Sequence, residues 1–119
     1  MTADDDDDQV MVVAYVPDLM DRSRLSAAAR SAGVDVRFVR SGPDLAGSAV
    51  SADVVVVDLS RADSLDALAG LGGGARVIGF GSHVDTERLR AARAAGCDTV
   101  LARSAFFGDP ARWLQRLDT

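Results

Sequence analysis

Residues 52–59 read Ala-Asp-Val-Val-Val-Val-Asp-Leu, with valine at every position from 54 to 57. An uninterrupted β-branched run has no polar face, so a strand built from it is covered on both sides. Strands of that kind occupy the middle of a parallel sheet with helices packed above and below. The sequence on either side supplies the rest of such a sheet.

Upstream, residues 10–16 form a short apolar run that Pro17-Asp18 closes in the manner of a strand meeting a helix start. Residues 19–32 then turn Ala- and Arg-rich, with Met20, Leu25, Ala28, Ala29 and Ala32 close to a helical stripe and Gly33 placed to end it. Val34, Val36 and Phe38 alternate with Asp35 and Arg37, which predicts a strand nearer the sheet edge. Residues 43–50 predict a short, weak helix, because Gly47 and Ser48 lower its propensity.

Downstream of the valine run, residues 63–71 read as a short helix and Gly72-Gly73-Gly74 as a connector. Residues 75–80 predict a second buried strand, followed by a Gly81-Ser82-His83 loop. Asp85 caps an Arg- and Ala-rich helix that runs to Ala95 and stops at Gly96. Residues 99–102 give a fifth strand. Asp109-Pro110 opens a closing helix with Trp113, Leu114 and Leu117 on its apolar face, leaving Phe106 and Phe107 in the loop before it. Five βα units at these spacings imply right-handed parallel crossovers and a three-layer, doubly wound α/β sandwich. For five strands the natural order is 2-1-3-4-5.

The chain is 119 residues long, 48% hydrophobic and 26% charged, which suits one domain over residues 10–119. Residues 1–9 contain an unbroken aspartate run from 4 to 8, equal to the whole formal charge of −5, and are expected to be a solvated, disordered tail. No basic patch offsets it, so nucleic acid is not an expected partner. The apolar runs fall well short of the roughly 20 residues of a membrane span, and the acidic start has the wrong sign for a signal peptide. A lone cysteine, Cys97, makes no internal disulfide and suits a cytoplasmic protein; it reads as an inert packing residue. There is no lysine in the chain, which removes Schiff-base, P-loop and serine–lysine chemistry.

In open α/β sheets, ligands bind beyond the carboxyl ends of the strands. Those ends carry Tyr15, Asp18, Asp21 and Arg22 after the first strand and Asp58, Ser60 and Arg61 after the third. Ser82 and His83 follow the fourth, and Arg103 and Ser104 the fifth. Arg22, Ser82, His83, Arg103 and Ser104 are the candidates for binding an anion in that crevice. His83 is the only histidine and has no other donors at ligand spacing, so no metal site is expected. Adjacent Ser82 and His83 do not suit a hydrolytic triad with Asp58, and the glycines lack dinucleotide-fingerprint spacing, so neither a catalytic residue nor a cofactor is expected.

Asp58 at the end of the central strand, the valine run before it, the Ala-Ala-Gly-Cys-Asp stretch of residues 94–98 and the βα rhythm over residues 10–117 resemble the receiver of bacterial response regulators, with its flavodoxin-like fold. The resemblance makes Asp58 the phosphoacceptor equivalent. It also implies an acidic pair after the first strand that holds Mg²⁺, a hydroxyl after the fourth and a Lys-Pro after the fifth. Here those positions are Ala14 and Tyr15, then Gly81 with Ser82 one residue off, then Arg103-Ser104; the aromatic three residues earlier is Val100. Arg keeps the charge of Lys but not its geometry.

These departures point to a stand-alone pseudo-receiver in which Asp58 pairs with Arg103, metal-dependent phosphotransfer is lost and regulation proceeds through a protein partner, a homodimer included. Arg88, Phe106, Phe107 and Trp113 are its interface candidates, on or near the face that receivers use for output. Two alternatives are a small-ligand or phosphate sensor in the crevice, and an atypical phosphoacceptor in which Asp18 or Asp21 replaces the missing metal ligands.

Overall fold

The computed structural model describes residues 10–115. The acidic run and Leu117 lie outside the described residues. Among the described residues the elements run β1 (Met11–Tyr15), α1 (Leu19–Ala32), β2 (Asp35–Phe38), α2 (Gly42–Ala49), β3 (Val54–Asp58) and α3 (Ser64–Ala69). They continue as β4 (Arg76–Gly81), α4 (Thr86–Ala94), β5 (Thr99–Ala102), α5 (Arg103–Gly108) and α6 (Pro110–Trp113).

The sheet is parallel throughout, in the order β2-β1-β3-β4-β5. Its centre is the valine run: Val54 to Val57 pair with Val12 to Tyr15 on one side and with Arg76 to Gly79 on the other. Alternate residues of these strands feed two separate cores. Val13, Val55, Val57 and Val77 pack with Leu45, Leu59, Leu68 and Cys97 beneath α2, α3 and α4. Val12, Val54, Val56, Ile78 and Phe80 pack with Leu25, Ala29, Phe106 and Leu114 beneath α1, α5 and α6. Period-2 side-chain direction places an apolar residue on both faces, which is why the strand needs no polar position.

The first crossover follows its sequence signals closely. Asp18 caps α1, its Oδ1 accepting the Asp21 backbone N–H at 3.0 Å, and Gly33 ends it with φ +72°, a left-handed turn that costs glycine little. The apolar stripe differs in one respect: Met20 is 68% exposed, and the residue facing inward in its place is Asp21. Helix α2 forms despite Gly47 and Ser48 because Leu45 is fully buried and ties it to the sheet.

The largest departure lies at residues 103–108, expected as a loop and found as helix α5. Propensity was overridden by packing: Phe106 is fully buried and stacks on Phe80 at 5.0 Å between centroids, while Phe107 meets both rings edge-on. The Asp109-Pro110 signal marks a second, shorter helix, separated from the first by Asp109 alone.

Candidate functional site: the crevice at the carboxyl ends of the strands

Beyond the ends of β3, β4 and β5 lies a crevice of about 470 Å³. It is lined by Asp58 and Ser60 from the loop after β3, by Gly81, Ser82 and His83 from the end of β4 and the loop after it, and by Arg103 and Ser104 at the start of α5. Asp58, Ser82, His83, Arg103 and Ser104 are therefore brought together as the sequence implied. Arg22 is not part of this group. Its Nε donates to the Val16 carbonyl at 2.8 Å and its guanidinium lies 5.3 Å from the Phe38 ring, toward the β2 edge of the sheet.

Asp58 is 2% exposed and is satisfied by its own loop. Its Oδ1 accepts the backbone N–H of Ser60 at 3.0 Å and the Ser60 hydroxyl at 2.7 Å, and Arg61 Nε stands 3.6 Å from Oδ2. The expected Asp58–Arg103 pair does not form. Arg103 donates instead to Oδ1 of Asp21, a residue 1% exposed in the first turn of α1. The cause is local at both ends: Ser60 and Arg61 already occupy Asp58, and the Asp18 cap sets α1 so that Asp21 faces inward toward the start of α5.

Arg103 is further fixed by aromatic rings. Its guanidinium carbon lies 5.7 Å from the centre of Phe80 and 5.2 Å from that of Phe107, within cation–π range. The hydrogen bond to Asp21 raises the Arg103 pKa above its already high ordinary value; partial burial opposes this, and the charges of Asp21, Asp58 and Asp18 add to it. Asp18 moves the other way: the Asp21 N–H bond holds its carboxyl below the usual range.

At the end of β1 the metal-binding positions implied by the resemblance hold no carboxylate. Ala14 is fully buried in the core on the α1 side of the sheet, and the Tyr15 hydroxyl donates to Asp63 Oδ1 at 2.7 Å. Burial, followed by that hydrogen bond, raises the Tyr15 pKa above 10.0. Asp18 Oδ1 is engaged in the helix cap and Asp21 Oδ1 in the Arg103 pair, and neither residue lines the crevice where the alternative metal site would lie. Among the described residues no three His, Cys, Asp or Glu side chains gather as metal donors. The donor set does not fit a receiver's divalent ion.

The interface candidates also resolve. Phe106 is fully buried, so it cannot anchor a partner. Arg88 is turned inward, donating to the carbonyls of Leu59 at 3.1 Å and Arg61 at 3.3 Å and to Ser64 Oγ at 3.3 Å, which clamps α4 to the loop after β3. Phe107 and Trp113 are half-buried against the core on the α1 side of the sheet, Trp113 beneath the Arg112 guanidinium. Sequence reasoning missed the Arg103–Asp21 pair and the Tyr15–Asp63 bond. For Asp21 a signal existed: it precedes Leu25 and Ala29 at i, i+4 and i+8, which places a carboxylate on an apolar stripe.

No protein-family profile and no curated protein matches the chain. Solved structures do. A response regulator receiver domain protein from Clostridium thermocellum superposes with a TM-score of 0.74 at 16% identity, over 88% of this chain and 90% of that one. The chain has the receiver fold. A Burkholderia pseudomallei response regulator, solved with a phosphorylated aspartic acid and a calcium ion, gives 0.71 at 20% identity over 91% of this chain and 67% of its own. The receiver domain of a Saccharomyces cerevisiae response regulator, solved with its histidine phosphotransfer protein, gives 0.71 at 12% identity over 89% of each chain. Across the receiver fold, the crevice described above falls at the strand ends where ligands of doubly wound sheets bind.

Proposed function

We propose that this chain is a pseudo-receiver, a bacterial, cytoplasmic regulatory domain that acts by protein–protein contact without phosphorylation of Asp58 and without enzymatic turnover. The observation that carries the reading is the pairing of Arg103 with Asp21. Phosphoryl transfer to a carboxylate needs positive charge on the transferring oxygens. Here the cation at the end of β5 is held by another carboxylate, and the end of β1 supplies no metal ligand.

Contact in place of chemistry also suits the surface around the crevice. Leu19 and Met20 at the start of α1 and Val84 after β4 are 78%, 68% and 75% exposed. Large apolar side chains left in water near a functional cleft favour a protein partner. A yeast receiver domain of the same fold, solved together with a histidine phosphotransfer protein, supports this reading. Among the described residues no helix is long and apolar enough to cross a membrane.

An amide NMR titration with Mg²⁺ and beryllofluoride, a phosphoryl mimic, tests the proposal. The expected result is an unchanged spectrum. Saturable shifts centred on Asp58, Gly81 and Arg103 would overturn it and restore phosphoacceptor function. One observation favours a second reading, a small-anion sensor: the Arg103 guanidinium is held in place by Asp21, Phe80 and Phe107 beside Ser82, His83 and Ser104. Saturable shifts with inorganic phosphate alone, lost in Arg103→Ala, would select that reading.

A further inference from the structure

At the opposite end of the sheet, under α2, lies a second cavity, of about 140 Å³. Its floor is Val55 of β3 and Val77 of β4; Ala46 and Ala49 of α2 form one wall, and Leu71 and Ala75 flank the connector that forms the other. The sequence explains the space. Helix α3 is only 6 residues long, and the glycines that follow it carry no side chain to fill the gap between helix and sheet. A Cβ built at Gly72 or Gly73 meets nothing within 4 Å, so the connector leaves open room there. Val50 stands at the rim with 86% of its surface exposed.

Every side chain lining this space is hydrocarbon and most of its surface is apolar, so only the backbone of the connector offers partners to the polar atoms of a carboxylate, phosphate or sugar. Burying such groups unpaired is costly, whereas an apolar guest restores dispersion contacts and leaves water. Size narrows the class further. An engineered apolar cavity of about 150 Å³ in another protein takes up benzene. We propose that the cavity between α2 and the glycine connector is a binding site for a small apolar ligand, a single aromatic ring or a branched hydrocarbon of that bulk.

Such a ligand would brace the helix that also closes the Tyr15–Asp63 contact. At its first residue α2 places Gly42 so tightly on Asp63 that a Cβ there would fall 2.6 Å from Asp63 Oδ2. The site stands apart from the crevice, and its occupancy does not depend on the pseudo-receiver reading.

The test is a titration of the full, methyl-labelled chain with benzene and, separately, with toluene, followed by methyl NMR. Saturable shifts are expected at Val55, Leu71 and Val77, with none on adding inorganic phosphate. Two filling variants, Ala49→Leu and Ala46→Leu, are each expected to abolish those shifts while the melting temperature stays within a few degrees of wild type. Should one of them unfold, the other still decides. Methyls that fail to shift saturably, or that shift equally in a folded filled variant, would overturn the proposal.

Discussion

Asp21 sits on the buried stripe of α1, one turn before Leu25 and two before Ala29, and it is tolerated there because Arg103 reaches it from the start of α5. Its second oxygen, Oδ2, has no hydrogen-bond partner, which makes the single ion pair the more important. Arg103→Ala strands a buried carboxylate. Full burial of both partners would set the cost at about 3–5 kcal/mol; with Arg103 45% exposed, solvent screening lowers the expected loss to about 2 kcal/mol in urea denaturation. Adding Asp21→Leu to Arg103→Ala should recover most of that loss, since the position then joins the apolar stripe. A double variant no more stable than Arg103→Ala would disprove this account of the pair. Tyr15 makes a pH-dependent contribution of opposite character. Its raised pKa means that the folded state holds the phenolic proton more tightly than the unfolded chain, so the stabilisation is complete below about pH 10 and is lost as pH climbs through the raised value. Tyr15→Phe should cost about 1 kcal/mol at pH 8 and lessen, without removing, the alkaline fall in stability, to which the raised Cys97 thiol also contributes, measured by denaturation at pH 8 and pH 11. An alkaline fall as steep as that of wild type would assign it to other groups.

At the scale of the element, the strands were legible because their pattern follows directly from burial on two faces. Four valines in a row, flanked by Asp at either end, leave little choice between a central strand and anything else. Helix α1 was equally legible from Asp18 and Gly33, local signals that act within a turn. Helix α5 was not, because nothing in residues 103–108 specifies a helix without Phe80, a residue on another strand. The same long-range contact moved Phe106 from an imagined interface into the core, and it carries an expected outcome: Phe106→Ala should destabilise by about 3–5 kcal/mol, read from the denaturation midpoint. A loss confined to partner binding, with stability unchanged, would return Phe106 to the interface. Gly79 in β4 makes a complementary point. A Cβ at this position would lie 2.9 Å from Leu59 Cδ1 and 3.0 Å from Cys97 Sγ, so Gly79→Ala is expected to cost about 1–3 kcal/mol by overpacking. That packing also accounts for the thiol: burial, followed by the charge of Asp98, pushes the Cys97 pKa up to about 11. A neutral buried thiol is inert, as the sequence context implied.

Over the whole molecule, the site was legible as a set of residues and illegible as a set of pairs. Strand ends fix which side chains meet, and Asp58, Ser82, His83, Arg103 and Ser104 followed from that rule. Partner choice among charged groups depends on small offsets between elements distant in sequence, so the place of Asp21 on an apolar stripe signalled the need for a partner but not that the partner was Arg103, 82 positions away. Together the two missed contacts have a consequence larger than either. The Tyr15–Asp63 bond joins β1 to the loop after β3, and the Arg103–Asp21 pair joins α1 to the start of α5, so two sides of the crevice are cross-linked by the chain's own residues. A domain regulated by phosphorylation needs two conformations close in free energy, one of them favoured by the added group. On the pseudo-receiver reading, these two contacts widen that gap and favour one state. Relaxation-dispersion NMR on the microsecond-to-millisecond scale should therefore give flat profiles for residues 58–63 and 81–85 in the wild-type chain, and exchange should emerge there when Arg103→Ala and Tyr15→Phe are combined. Exchange already present in the wild type, undiminished by either contact, would mean that the crevice is a working switch and would count against the proposed pseudo-receiver role.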